Sequence, residues 1–173
     1  MTTGGQGRIL LLCYGNPGRL DDGLGPAFAH AVECFPLRGV DVSADYQLTV
    51  EDVKDAAEHE IVIFVDAAVE GDWPFFLRPV LPRNELSFSS HSLEPEQVLA
   101  LAEEVFGRKP SGYSLGIRGY RFDEFGESLS PGARANLESA LQFMLPVLER
   151  GGLAEAVVSL AGASPLRVVD NGD

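Results

Sequence analysis

The residues Gly15-Asn16-Pro17-Gly18-Arg19-Leu20-Asp21-Asp22-Gly23-Leu24-Gly25-Pro26 place two adjacent carboxylates in a glycine-rich loop directly after a short apolar run. Glycines let such a loop fold tightly over a sheet edge and present a side chain there. A phosphate cradle is a poor match: the GxGxxG and GxxxxGK spacings are absent, and carboxylates stand where a phosphate needs donors. One aspartate of the pair can cap the following helix while the other points into a crevice. The sequence alone does not divide those roles.

A third carboxylate, Asp66, follows the apolar run Ile61-Val62-Ile63-Phe64-Val65. If that run is a buried strand, its last side chain emerges at the same carboxyl edge as the first loop. An isolated aspartate there is commonly a turn or cap residue; beside the first loop it becomes a candidate ligand. His91, in Ser87-Phe88-Ser89-Ser90-His91-Ser92-Leu93, precedes a helix opening near Pro95 and can approach the same edge. His30 falls on a helix and His59 in a charged helix end, so neither has comparable surroundings. Two carboxylates and one imidazole form a borderline ligand set for zinc, nickel, manganese or ferrous iron, with positions left open for water or substrate. A serine triad around His91 is disfavoured, because sequence neighbours rarely reach nucleophile–base geometry and no GxSxG elbow is present.

These side chains need a scaffold. Residues 8–14, RILLLCY, read as a strand buried on both faces, and 24–35 space their apolar residues as a helix. Strands follow at 40–44, 61–65, 75–81 and 113–122, with helices at 51–58, at 95–106 with proline in its permitted first turn, and at 131–149 after a Ser130 N-cap; 153–160 forms a weak amphipathic piece. This order predicts an α/β fold: a three-layer α/β/α sandwich with a mostly parallel, twisted sheet of about five strands. Residues 1–173 read as a single domain, with 1–7 and about 163–173 expected to be flexible.

With 13 Lys and Arg against 26 Asp and Glu, the net charge of −13 disfavours nucleic acid and anionic membranes as partners. Hydrophobic residues at 45% without any span-length apolar run fit a soluble globular chain, expected to be a cytoplasmic monomer. Cys13 and Cys34 lie in neither a CxxC pair nor a zinc-finger spacing, and read as buried thiols in a reducing compartment.

The loop Gly15-Asn16-Pro17 through Asp21-Asp22-Gly23-Leu24-Gly25-Pro26, the Val65-Asp66-Ala67-Ala68 stretch and the Ser89-Ser90-His91-Ser92-Leu93 stretch together resemble the nickel-iron hydrogenase maturation endopeptidases. Asp45-Tyr46-Gln47-Leu48 and the long helix after Ser130-Pro131 extend the match over most of the chain. The resemblance implies that Asp22, Asp66 and His91 contact the metal and carry catalysis, and that Asn16, Asp45 and Gln47 bind substrate. It implies an endopeptidase that removes a C-terminal extension from the large-subunit precursor of a nickel-iron hydrogenase after nickel insertion. The nickel is then carried by the substrate, and zinc or cadmium can substitute in the isolated protein. Asp22 stands where some relatives have glutamate, a side chain one methylene longer. Two other readings use the same residues: a non-catalytic metal-dependent chaperone for that precursor, and a receiver-like phosphoacceptor domain with Asp66 as acceptor.

Overall fold

A computed structural model describes residues 7–84 and 92–162. His91, Ser89 and Ser90 lie outside the described residues, as do 1–6 and 163–173. In chain order the elements are β1 (Ile9–Tyr14), a 3-10 turn (Leu20–Gly23), α1 (Leu24–Glu33), β2 (Val40–Asp45), α2 (Val50–Ala57), β3 (Ile61–Ala68), β4 (Phe75–Val80), α3 (Pro95–Phe106), β5 (Ser111–Arg118), α4 (Pro131–Arg150) and α5 (Leu153–Gly162). The strands form one five-stranded sheet in the order β2-β1-β3-β5-β4. All pairs are parallel except β4 with β5.

Strand periodicity divides the core into two halves. Ile9, Leu11 and Cys13 of β1 point with Ile63 and Val65 of β3 into one cluster, covered by α1, α4 and α5 through Phe28, Met144 and Leu153. Leu10, Leu12, Val62 and Phe64 point the other way, beneath Val53 of α2 and Val98 of α3. The central strands are therefore apolar on both faces, as a sheet sandwiched between helices requires. At the sheet's edge, β4 carries Arg78 and Pro79, which blunt further strand pairing.

Helix starts follow their side chains. Ser130 accepts the Ala133 N–H at 3.3 Å, with Pro131 in the first turn of α4. Glu94 and Gln97 form a reciprocal capping box at α3, and Thr49 and Asp52 another at α2. At Gly25 an added Cβ would collide with the carbonyl oxygens of Tyr14 and Val65, so the first turn of α1 rests directly on the ends of β1 and β3.

The structure departs from expectation at several points. β3 continues beyond Asp66, because Asp66, Ala67 and Ala68 keep pairing with Gly116, Ile117 and Arg118. β5 ends at Arg118 rather than near Phe122, because the N–H groups of Tyr120 and Arg121 turn to the Asp21 carboxylate, at 2.8 and 2.9 Å. Cys13 is buried but Cys34, which follows the last turn of α1 as its C-cap, is exposed.

Asp21 does not cap α1, which has no side-chain cap. It is fully buried and takes four hydrogen bonds from the segment after β5: the two above, the Ser130 N–H at 2.7 Å, and the Ser130 hydroxyl at 2.7 Å. Backbone bonds from Leu20 N–H to the Gly126 carbonyl and from Gly126 N–H to the Gly18 carbonyl, each 2.9 Å, complete the seam. Burial alone pushes the Asp21 carboxyl upward, but these donors outweigh it and hold the group below its ordinary value of 3.8. Its contribution to stability is thus present above that value and is lost as the pH falls through the folded-state value. Asp21→Ala, which strips several buried donors of their acceptor, is expected to cost about 3–5 kcal/mol at neutral pH. Denaturant unfolding of both proteins checks this, and their difference should shrink in acid.

Candidate metal-contacting site at the carboxyl edge of the sheet

Asp22 and Asp66 reach the carboxyl edge by different routes. After β1, Gly15 adopts a φ of 137°, where an added Cβ would collide with the Asp22 carbonyl, and Leu20 takes a positive φ of 51°. The loop so formed is closed by its own side chains: Asp22 Oδ2 accepts the Asn16 N–H at 2.9 Å, and Asn16 Oδ1 accepts the Gly18 N–H at 2.9 Å. Asp66 is positioned by β3 itself, on the α2/α3 side that Val62 and Phe64 also face. Its Oδ1 accepts the neighbouring Ala67 N–H at 2.8 Å.

The two carboxylates are close enough to influence one another. Burial pushes the Asp66 carboxyl up from 3.8 to about 7; the Ala67 N–H opposes that shift, and the charges of Asp22 and then Glu94 add to it. Tyr14, at the end of β1, belongs to the same edge. Its phenol is pushed well above the ordinary range by burial and then by Asp66, Glu94 and Glu96, so it stays protonated. Neither Tyr14 nor Glu94 stood out in the sequence. Tyr14 was hidden in an apolar run whose alternation decides its face, and Glu94 in the lead-in to a proline-started helix.

Of the residues expected to bind substrate, Asn16 is half-buried within the loop, while Asp45 and Gln47 are exposed. Asp45 pairs with Tyr14 in register, accepts the Tyr46 N–H at 2.6 Å, and through its carbonyl takes the Gly15 N–H at 3.1 Å. Asp45 and Tyr46 line a cavity of about 180 Å³ with Gly15, Pro17, Pro26 and Ala44. The bland reading of the other histidines fits their places. His30 is exposed on α1. His59 is buried at the opposite end of the sheet, its ring bonded to the Asp55 carbonyl at 2.6 Å and to Asp41 at 2.7 Å.

The donor chemistry suits a divalent cation. Asp22 and Asp66 each commit one oxygen to a backbone N–H, and among the described residues their second oxygens accept no hydrogen bond. Two such oxygens beside an imidazole would leave coordination positions open. Among the described residues no three His, Cys, Asp or Glu side chains gather as a metal-holding group, and His91 lies outside them. No helix among the described residues is long and apolar enough to cross a membrane.

The strand order sets this sheet apart from a receiver domain, whose all-parallel strands run 2-1-3-4-5; here β5 lies between β3 and an antiparallel β4. The chain is similar in fold to solved hydrogenase maturation peptidases. The hydrogenase maturating endopeptidase HybD of E. coli matches with a TM-score of 0.65 at 24% identity, over 84% of this chain and 94% of that one. The [NiFe] hydrogenase maturation protease HycI of Thermococcus kodakarensis gives 0.66 at 22% identity, over 85% and 96%. An endopeptidase of Escherichia coli gives 0.63 at 26% identity, over 84% and 94%. No family model matches the chain, and no curated protein matches it. The likeness carried by the sequence motifs is therefore also a likeness of fold, and the expected α/β/α sandwich is the one observed.

The raised Asp66 carboxyl has a consequence for stability. The unfolded chain loses this proton near 3.8 and the folded chain only near 7, so ionisation disfavours the folded state increasingly as pH rises across that window. In the metal-free protein, Asp66→Asn should be more stable than the parent by roughly 2–4 kcal/mol at about pH 8, and indistinguishable from it near pH 3.5. Urea unfolding at the two pH values reads this directly.

Proposed function

We propose that this chain is an endopeptidase that removes a C-terminal extension from the large subunit of a nickel-iron hydrogenase after nickel insertion, working on the precursor in the cytoplasm as a monomer. The observation that carries the reading is the meeting of Asp22 and Asp66 at the carboxyl ends of two adjacent central strands, each with one oxygen that accepts no hydrogen bond among the described residues. Their mutual influence supports a common task. The likeness in fold to an endopeptidase of Escherichia coli supports the reaction class.

In this reading Asp22, Asp66 and His91 grip nickel that the precursor already holds, with zinc or cadmium able to replace it on the isolated protein. Asn16, Asp45 and Gln47 hold the polypeptide beside it. The substrate's nickel polarises the scissile carbonyl or activates the attacking water. A carboxylate oxygen left off the ion takes up the proton that the water releases. Substrate-borne metal also explains why the protein's own ligands need not bind an ion tightly.

Mass measurement of the precursor before and after incubation tests the reading. Nickel-loaded precursor should be shortened and metal-free precursor left intact; equal cleavage of both would refute recognition of the substrate's metal. Asp66→Asn and His91→Ala should each lower the cleavage rate at least a hundredfold while keeping the fold. Binding of loaded precursor without any shortening by the wild type would instead identify a non-catalytic chaperone.

A further inference from the structure

The carboxyl rim of the sheet carries an ordered row of side chains. Partners in register on parallel strands face the same side, so Asp45 on β2 stands beside Tyr14 on β1. Cys13 pairs with Val65, and one residue further along both strands Tyr14 faces the α2/α3 side next to Asp66 on β3. The next partner, Gly116 on β5, brings no side chain; the ring of Phe76 occupies the space its Cβ would fill. Neighbouring strands lie about 4.8 Å apart, so the row reads carboxylate, phenol, carboxylate within roughly 10 Å.

That row poses an electrostatic problem for peptide hydrolysis. A carbonyl oxygen gaining negative charge beside Asp66 would feel Asp22, Asp45 and Glu94 around it, and preorganised donors aimed at such an oxygen are a large source of rate. Tyr14 meets the requirement. Its ring packs with the Leu10, Leu12 and Phe64 cluster, which fixes its direction without a hydrogen bond. Among the described residues its hydroxyl makes no hydrogen bond, although it lies in the acidic surroundings of Asp66, Glu94 and Glu96. By strand register Tyr14 lies between Asp45, of the expected substrate-binding segment, and Asp66, the expected metal-contacting carboxylate.

We propose that Tyr14 is a catalytic residue of the reaction proposed above, donating its phenolic hydrogen bond to the scissile carbonyl oxygen of the bound precursor as that oxygen becomes an oxyanion. The inference rests on the endopeptidase reading. Tyr14 neither forms nor breaks a covalent bond and keeps its proton; the proton released by water goes to a carboxylate. The donor matters only as charge develops, so its loss should fall on turnover rather than on substrate affinity.

Wild type and Tyr14→Phe are compared on nickel-loaded precursor, with cleavage followed by mass and folding by circular dichroism and thermal unfolding. Tyr14→Phe keeps the ring and its packing. The expected result is kcat lower by about a hundredfold, KM within about twofold, and an unfolding midpoint close to that of the wild type. An unchanged kcat, or a loss confined to KM, overturns the assignment and leaves the endopeptidase reading standing. A wild type that cannot cleave the loaded precursor overturns that reading, and the role of Tyr14 with it.

Discussion

The arrangement of this molecule depends on one buried carboxylate that has no cationic partner among the described residues. Asp21 is enclosed completely, and its charge is balanced by hydrogen bonds from Tyr120, Arg121 and Ser130 rather than by an ion pair. Burying an unpaired charge is costly unless its acceptor capacity is filled, and here the filling groups all come from one segment 99 to 109 residues away. The bond set therefore acts as a clasp. It draws the strand-to-helix connection after β5 across the loop after β1, ends β5, and starts α4 with the same Ser130 that caps it. Asn136 of α4 reinforces the seam by donating to the Arg118 carbonyl at 2.9 Å and bonding the Tyr120 hydroxyl at 3.1 Å.

With that clasp in place, the adjoining residue is free for other work. Asp22 turns back over its own loop to the Asn16 N–H, toward β3, and meets Asp66. The sheet order makes this meeting possible: β1 and β3 are neighbours in the middle of the sheet, so their carboxyl ends open on one crevice. Two adjacent aspartates of identical chemistry thus have opposite environments. One is held charged by donors inside the fold; the other lends its field to a half-buried carboxylate that the fold makes reluctant to ionise.

Much of this was legible in the residues because local and tertiary signals agreed. Pro95 and the apolar spacing behind it fix α3 at Pro95–Phe106, and the doubly apolar run after Arg8 could only be a central strand. Elsewhere tertiary bonds decided the outcome. The alternating pattern continues past Arg118, yet β5 stops there because Asp21 captures the N–H groups of Tyr120 and Arg121, and nothing within 113–122 signals an acceptor so distant in sequence. The division of labour between Asp21 and Asp22 was hidden for the same reason. β3 runs past Asp66, although the β-branched and aromatic run ends at Val65, because backbone pairing extends through Ala68 whatever the side chain. Tyr14 escaped notice because its place beside Asp66 follows from strand register, which no single segment contains.

In the proposed reaction the ion arrives with the precursor rather than residing in the protein. Asp66, pushed up to about 7 by burial and by the charges of Asp22 and Glu94, holds its proton readily in a protein of net charge −13. A proton and a divalent cation then compete for the same oxygens, which weakens any permanent hold on the cation. A cation delivered by a folded precursor is different, because the contacts of the polypeptide add to those of the metal and the site need supply only the discriminating part of the affinity. Linkage makes the effect reciprocal: whatever repulsion the ion relieves at the rim appears as tighter binding of loaded than of empty precursor. An electrostatic tension that looks like a defect of the isolated fold becomes, in the proposed reaction, the means by which metal insertion is sensed before the chain is cut.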